Sequence, residues 1–283
     1  MSDQRSSNDI FTSQQANQAG IQTRNVMKED FGFEVPVQSV PLPSEGIIYP
    51  PGSSLHMAQT LDIRAMTAKE EDILTSRALI KKGTVITHLI KSCLTDKSID
   101  VDSMISGDRN ALMVALRITG YGSAYKCEVS CPECGEDNKQ DFDLGELPIK
   151  RLQIQPAVEG SNLFEFTLPM SKKKVLFKFL NGHDEYEMSQ ESERRKKKLG
   201  MESDSVVTQR LQACILEIDG IKDRNKVTQF IKNMPAGDSR AIRKFIEDNE
   251  PGIEMISWMK CDHCGEESEV RLPLGASFFW PDV

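Results

Sequence analysis

The chain has 283 residues, 39% of them hydrophobic and 28% charged, with a formal net charge of −8. That length holds one large or two modest domains with a real core, and no stretch approaches the ~18 consecutive apolar residues of a membrane span. The acidic balance argues against a nucleic-acid coat as the main role, because a phosphate backbone is repelled overall.

Residues 1–30 are rich in Ser, Gln and Asn and poor in aliphatics. They bury too little surface to offset the entropy of ordering, so residues 1–35 are expected to form a flexible N-terminal arm. The opening Met1-Ser2-Asp3-Gln4-Arg5 has no apolar core of a secretory signal. Prolines at 36, 41, 43, 50 and 51 predict that residues 36–60 are an extended segment able to lie on a surface but not to form a helix. The core begins at residues 61–66, where Leu61, Ile63 and Ala65 alternate with other side chains as in a strand.

Thr67 with Glu70 has the spacing of a capping box, and Ile73, Leu74, Arg77 and Ile80 carry an amphipathic helix to a stop at Gly83. Residues 84–94 put Val85, Leu89 and Cys93 on one helical face. Asp108 can cap a further helix that runs through Leu112 and Leu116 to Gly120-Tyr121-Gly122. Residues 163–168 and 174–180 alternate around a turn as a hairpin. A highly charged helix is expected over 183–199, stopped by Gly200. Its run Glu193-Arg194-Arg195-Lys196-Lys197-Lys198 reads as a solvated face with cations at the favourable end of the dipole. Three more helices are expected over 205–218, 225–233 and 238–249, the last capped by Asp238 and ended by Pro251-Gly252.

Two knuckles carry the chemistry: Cys131-Pro132-Glu133-Cys134-Gly135 and Cys261-Asp262-His263-Cys264-Gly265. Each offers two thiolates about one turn apart, and the trailing glycine admits the positive φ that turns amides toward sulfur. One such motif is shared by disulfide and redox pairs. Two with the same glycine match the closed four-cysteine site of a structural zinc ribbon, so Zn2+ held by Cys131, Cys134, Cys261 and Cys264 is the expected cofactor. Unmetallated thiols or a local disulfide are the alternative.

The 126 residues between Cys134 and Cys261 far exceed the roughly 15–20 of a compact ribbon. Either a subdomain is inserted into the ribbon or each knuckle finds other partners. Matching approach strands (125–130 and 256–260) and exit strands (141–144 and 269–274) favour insertion. Cys127 and His263 are candidate substitute ligands, read more simply as a strand position and an exposed residue. Cys93 and Cys214 sit among apolar residues at helical spacing and read as core thiols. Reduced thiols fit an odd total of seven cysteines.

The four histidines are scattered, and no phosphate loop, nucleophile elbow or zincin motif is present. No enzyme is expected. The expected fold is α+β: a mainly helical domain with a split zinc-ribbon-like β unit and an inserted β-hairpin plus helical subdomain. In domain terms this gives 61–145 with 253–283 as one region and 146–252 as the insert. Phe278, Phe279 and Trp280 are expected to be buried, either on their own domain or as anchors in a partner subunit.

The order of short motifs is specific in combination. Leu42-Pro43-Ser44-x-Gly46-x-x-Tyr49 precedes Met66-Thr67-x-x-Glu70-Glu71, followed by Asp108-Arg109, Leu116-Arg117 and Tyr121-Gly122. The two knuckles come next, and Phe278-Phe279-Trp280-Pro281 closes the chain. From about residue 41 onward this resembles the baseplate hub proteins of T-even-type contractile-tailed bacteriophages. The resemblance implies a virion or tail-assembly protein made in the host bacterial cytoplasm, with other baseplate or tail proteins as partners. It leaves open whether the protein stays in the particle. A zinc-ribbon nucleic-acid-binding or adaptor protein is the alternative. The acidic knuckle residues Glu133, Glu136, Asp137, Asp262, Glu266 and Glu267 weigh against phosphate contact.

Overall fold

Alternation in β2 (Thr60–Arg64) turns Leu61 and Ile63 inward, and this strand pairs antiparallel with β1 (Val37–Pro41), Val40 lying opposite Leu61. The computed structural model that shows this describes residues 31–199, 206–274 and 276–279. The chain divides into two units, Met1–Pro36 and Val37–Val283. Of the first unit only residues 31–36 are described, with Phe31 and Phe33 exposed. The expected flexible arm otherwise lies outside the described residues.

The proline-rich stretch between β1 and β2 departs from expectation. It is not an extended surface segment: residues 43–48 wind through consecutive turns that bury Leu42, Ser44, Ile48, Tyr49 and Leu55. Proline forbids a helix here but fits tight turns well, since its fixed φ suits their first corner position. Gly46 makes the winding possible. Its φ is +71°, and a Cβ there would sit 2.3 Å from the Ala58 amide nitrogen.

The helix expected over 67–82 is broken in two, α1 (Ala68–Thr75) and α2 (Arg77–Lys82), because Ser76 takes an extended ψ of 103°. The Glu70 carboxylate reaches back to the Thr67 amide at 3.0 Å, the reciprocal half of a capping box. Gly83 ends α2 with φ +69°. Two helices follow, α3 (Val85–Cys93) and α4 (Ser106–Tyr121). The N-cap of α4 is Ile105 rather than Asp108, which sits in the first turn with its side chain wholly buried.

The knuckle hairpins are β3 (Ala124–Ser130) with β4 (Asp137–Asp143) and β10 (Ile256–Lys260) with β11 (Glu267–Arg271). A short pair, β5 (Ile149–Lys150) with β9 (Gly252–Ile253), crosses the start of α4. It approaches so closely that a Cβ on Gly107 would lie 1.7 Å from the Pro251 carbonyl oxygen. The predicted hairpin forms as β6 (Phe164–Thr167) and β7 (Lys174–Phe177), and β7 gains a third strand, β8 (Ile215–Ile218). The expected helix to residue 218 therefore stops early. After α5 (Gly182–Leu199), α6 (Val206–Cys214) hands over directly to β8. Pairing with β7 satisfies the backbone that a helix would otherwise have satisfied.

α7 (Arg224–Asn233) is capped by Asp223, which accepts from the amides of Asn225 and Lys226. α8 (Ala236–Asn249) starts after Pro235, so Asp238 is not its cap. The buried Asp238 instead accepts from the amides of Met170 at 2.7 Å and Ser171 at 3.0 Å, pinning the β6–β7 turn. The described residues thus form an α+β fold of eight helices and five small antiparallel sheets. One continuous core runs from Val40 to Phe279 and contains Cys93 and Cys214.

Phe278 and Phe279 belong to that core. Phe278 packs edge-on against Tyr125 at 5.3 Å, and its carbonyl accepts from Arg117 Nε at 2.9 Å. The interface role expected for these two rings is corrected: they are 1% and 3% exposed within their own chain and have no surface to offer a partner. Trp280 lies outside the described residues.

Candidate metal centre

Each knuckle is a tight turn at the tip of its hairpin. In the first, the Cys131 amide donates to Glu136 O at 2.9 Å and the Gly135 amide to Cys131 O at 2.9 Å. In the second, Cys261 donates to Glu266 O at 2.9 Å and Gly265 to Cys261 O at 3.0 Å. Gly135 and Gly265 have φ of +79° and +76°, so both glycines meet the demand that their position makes. The two turns are near copies, and each buries its first cysteine while exposing its second.

The fold sets the tips face to face. Cys131, Cys134, Cys261 and Cys264 bring their sulfurs within 4.8 Å of one another. Cys131 and Cys264 are 3.8 Å apart, Cys134 and Cys261 3.6 Å. A disulfide needs about 2.05 Å, and all seven cysteines are free thiols. Four sulfurs about 2.3 Å from a tetrahedral zinc would lie about 3.8 Å from each other, so the spacing suits a metal ion. A metal held by four thiolates has no open position for water, which makes such a site structural rather than hydrolytic.

Electrostatics favour thiolate at Cys261, whereas burial and hydrogen bonds to the neighbouring thiols push Cys134 and Cys264 up. The amides of Cys264 and His263 aim at the Cys261 sulfur and pull its thiol down to about 6. His263 takes part through its backbone, 3.4 Å from that sulfur. Neither His263 nor Cys127 belongs to the four-ligand cluster, and burial pushes the Cys127 thiol up to about 11.

Asn138, on β4, gives no signal in the sequence. It is 2% exposed, donates to Glu136 O at 2.9 Å and to Cys261 Sγ at 3.5 Å, and accepts from the Asp262 amide at 2.8 Å. One side chain thereby fastens each knuckle to the other and reaches a sulfur of the cluster, the place an outer-shell partner would take were a metal held there.

A family model described as T4 bacteriophage base plate protein matches residues 48–280. The chain belongs to that family. It matches no curated protein and no solved structure. As a phage baseplate protein it is a structural component of the virion tail that works among other baseplate proteins. No helix among the described residues is long and apolar enough to cross a membrane.

The structure also brings together motif residues of this baseplate protein that lie far apart in sequence. Asp108 accepts from the Ser44 amide at 3.0 Å, the Ser44 hydroxyl at 2.6 Å and the Tyr49 hydroxyl at 2.6 Å. Tyr49 Oη in turn accepts from the Ile105 amide at 3.1 Å. Burial pushes the Asp108 carboxyl up and those donors pull it back only in part. Arg117, 1% exposed, spends its guanidinium on the carbonyls of Phe278, Gly122 and Ala124. Glu70 accepts from Arg64, Ser92 and Thr67. Burial would raise its carboxyl, but Arg64 and the two hydroxyls hold it well below the usual carboxylate range. These motifs are joints of the fold.

Proposed function

We propose that this baseplate protein is a structural and assembly component of the baseplate hub, and that a structural Zn2+ bound by Cys131, Cys134, Cys261 and Cys264 ties its distant segments together. The observation that carries the reading is the four-sulfur cluster joining two copied knuckles across 126 residues of sequence. Metal binding there would couple directly to folding, because the unfolded chain holds no preformed site. The protein would be made in the host bacterial cytoplasm and carried into the tail.

Two measurements test this. Elemental analysis of the purified protein should return about one zinc per chain, the stoichiometry of a single tetrathiolate site, and tails purified from infected cells should contain the protein in the hub. A stable wild-type protein without metal would overturn the zinc assignment. Tails lacking the protein at every stage of assembly would overturn the hub assignment.

A further inference from the structure

The outward face of the second knuckle hairpin carries a large aromatic with nothing on it. Trp258 is 69% exposed and lies across the ladder from Glu269, while Lys260 lies across from Glu267. On the same face Glu267 and Glu269 stand with Lys260 and Arg271, the latter 3.4 Å from Glu247, so the charge beside the ring is mixed while the hairpins as a whole are acidic. The two knuckle hairpins, residues 124–143 and 256–271, hold ten acidic against four basic side chains, so −6 of the chain's −8 resides in them.

A feature of opposite character lies on α8. There a cleft of about 400 Å³ is lined by Phe166 and Phe245, whose rings are 4.5 Å apart, with Arg240 and Lys244 beside them and Asp248 at one end. Among the described residues, none of Glu267, Glu269, Arg240 and Lys244 is in an ion pair within the chain. Trp258 does not fill the cleft of its own molecule, since the ring is exposed and the cleft is open.

We propose that Trp258 inserts into the α8 cleft of a second copy of this chain, with Glu267 and Glu269 set against Arg240 and Lys244. Ring-edge contacts with Phe166 and Phe245 favour an aromatic occupant, and the two cations favour a π face with acidic neighbours. Charge complementarity fixes which way the copies meet. A nucleic-acid base stacked on Trp258 would have to bring its phosphates to a pair of hairpins that is acidic overall, which disfavours it. Each copy carries both halves of the contact, so the interface is either reciprocated in a pair or propagated head to tail.

Sedimentation of the purified full-length protein over a concentration series tests this. The wild type should associate reversibly, and added salt should weaken the association. Trp258→Ala, on an exposed position that leaves the fold intact, should weaken it by about tenfold or more. Ala241→Trp, which blocks the cleft from its rim without emptying the core, should do the same. Glu267→Lys with Glu269→Lys, and separately Arg240→Glu with Lys244→Glu, should each suppress self-association. Mixing the two reversed proteins should restore a complex, a result that misfolding cannot produce. A wild type that stays monomeric throughout, association indifferent to Trp258→Ala, or reversed proteins that fail to restore each other would each overturn the proposal. If Trp258→Ala instead impairs tail incorporation of a strictly monomeric protein, the face serves a different protein and self-association is wrong.

Discussion

At the knuckles, segments 126 residues apart meet through four sulfurs, two of them on exposed cysteines. At Asp108, segments 64 residues apart meet through a single carboxylate with no exposure to water. With zinc bound as proposed, the first joint is incomplete without an ion from outside the chain. The second is complete as encoded, because Ser44, Tyr49, Asp108 and the Ile105 amide supply every donor and acceptor it uses. A joint that imports its centre can be strong but is conditional on supply; one made from buried hydrogen bonds needs no supply, and weakens according to how many partners a lost group leaves stranded.

That difference is sharpest when the central atom is removed. Cys261→Ser should abolish metal binding and cost more stability than any other single change, since structural zinc contributes on the order of 10 kcal/mol in small metal-dependent domains. In denaturant unfolding, a chelator should bring the wild type down to the variant and leave the variant where it was. A chelator with no effect on the wild type would break the contrast.

Asp108→Ala should cost at least about 3 kcal/mol, because it strands two hydroxyls and one amide in the core at ~1–3 kcal/mol each. Its zinc content should equal that of the wild type. Tyr49→Phe, which strands only the Ile105 amide because Asp108 Oδ2 keeps the Ser44 hydroxyl, should cost about 1 kcal/mol. Equal losses for the two variants would mean that Asp108 does not organise the loop.

Asn138→Ala probes the knuckles without touching a ligand. Metal competition should show an affinity about 10–100-fold weaker, with stability near that of the wild type when metal is saturating. An unchanged affinity would reduce Asn138 to simple packing.

The smallest effect is a pH dependence of opposite sign at two buried carboxyls. The Glu70 carboxyl is depressed in the folded protein, so its contribution is present above its ordinary value of 4.5 and fades as pH falls below it. Asp108 is raised, so the unfolded chain gives up that proton first, and stability is lost as pH climbs above 3.8. Glu70→Gln should therefore flatten the acid limb of the stability curve, whereas Asp108→Asn should steepen it. The same response from both variants would refute the assignment of opposite shifts.

The cysteine joint is legible in the sequence because each half is a local motif whose spacing and glycine are written within five residues. The Asp108 joint is not. An aspartate near the start of a helix looks like a cap, and nothing local to it names Ser44 or Tyr49. Asp238 misleads for the same reason, its partners being the amides of a distant turn. The residues of β8 continue the apolar pattern of α6, and only the presence of β7 alongside makes them a strand. Phe278 and Phe279 are apolar enough for a core or an interface, and the choice rests on Arg117 and Tyr125, more than 150 residues earlier. Asn138 is invisible because a lone polar residue in a strand is ordinary until a sulfur stands beside it.

The separation of the two knuckles also orders events during synthesis. The first pair of cysteines leaves the ribosome well before the second, and the intervening 126 residues must be threaded and packed before all four sulfurs meet. Closing so long a loop is slow and contributes nothing until it is finished. With zinc bound as proposed, metal capture would be a late step that only a nearly complete molecule can perform, and a chain truncated between Cys134 and Cys261 would carry half a site.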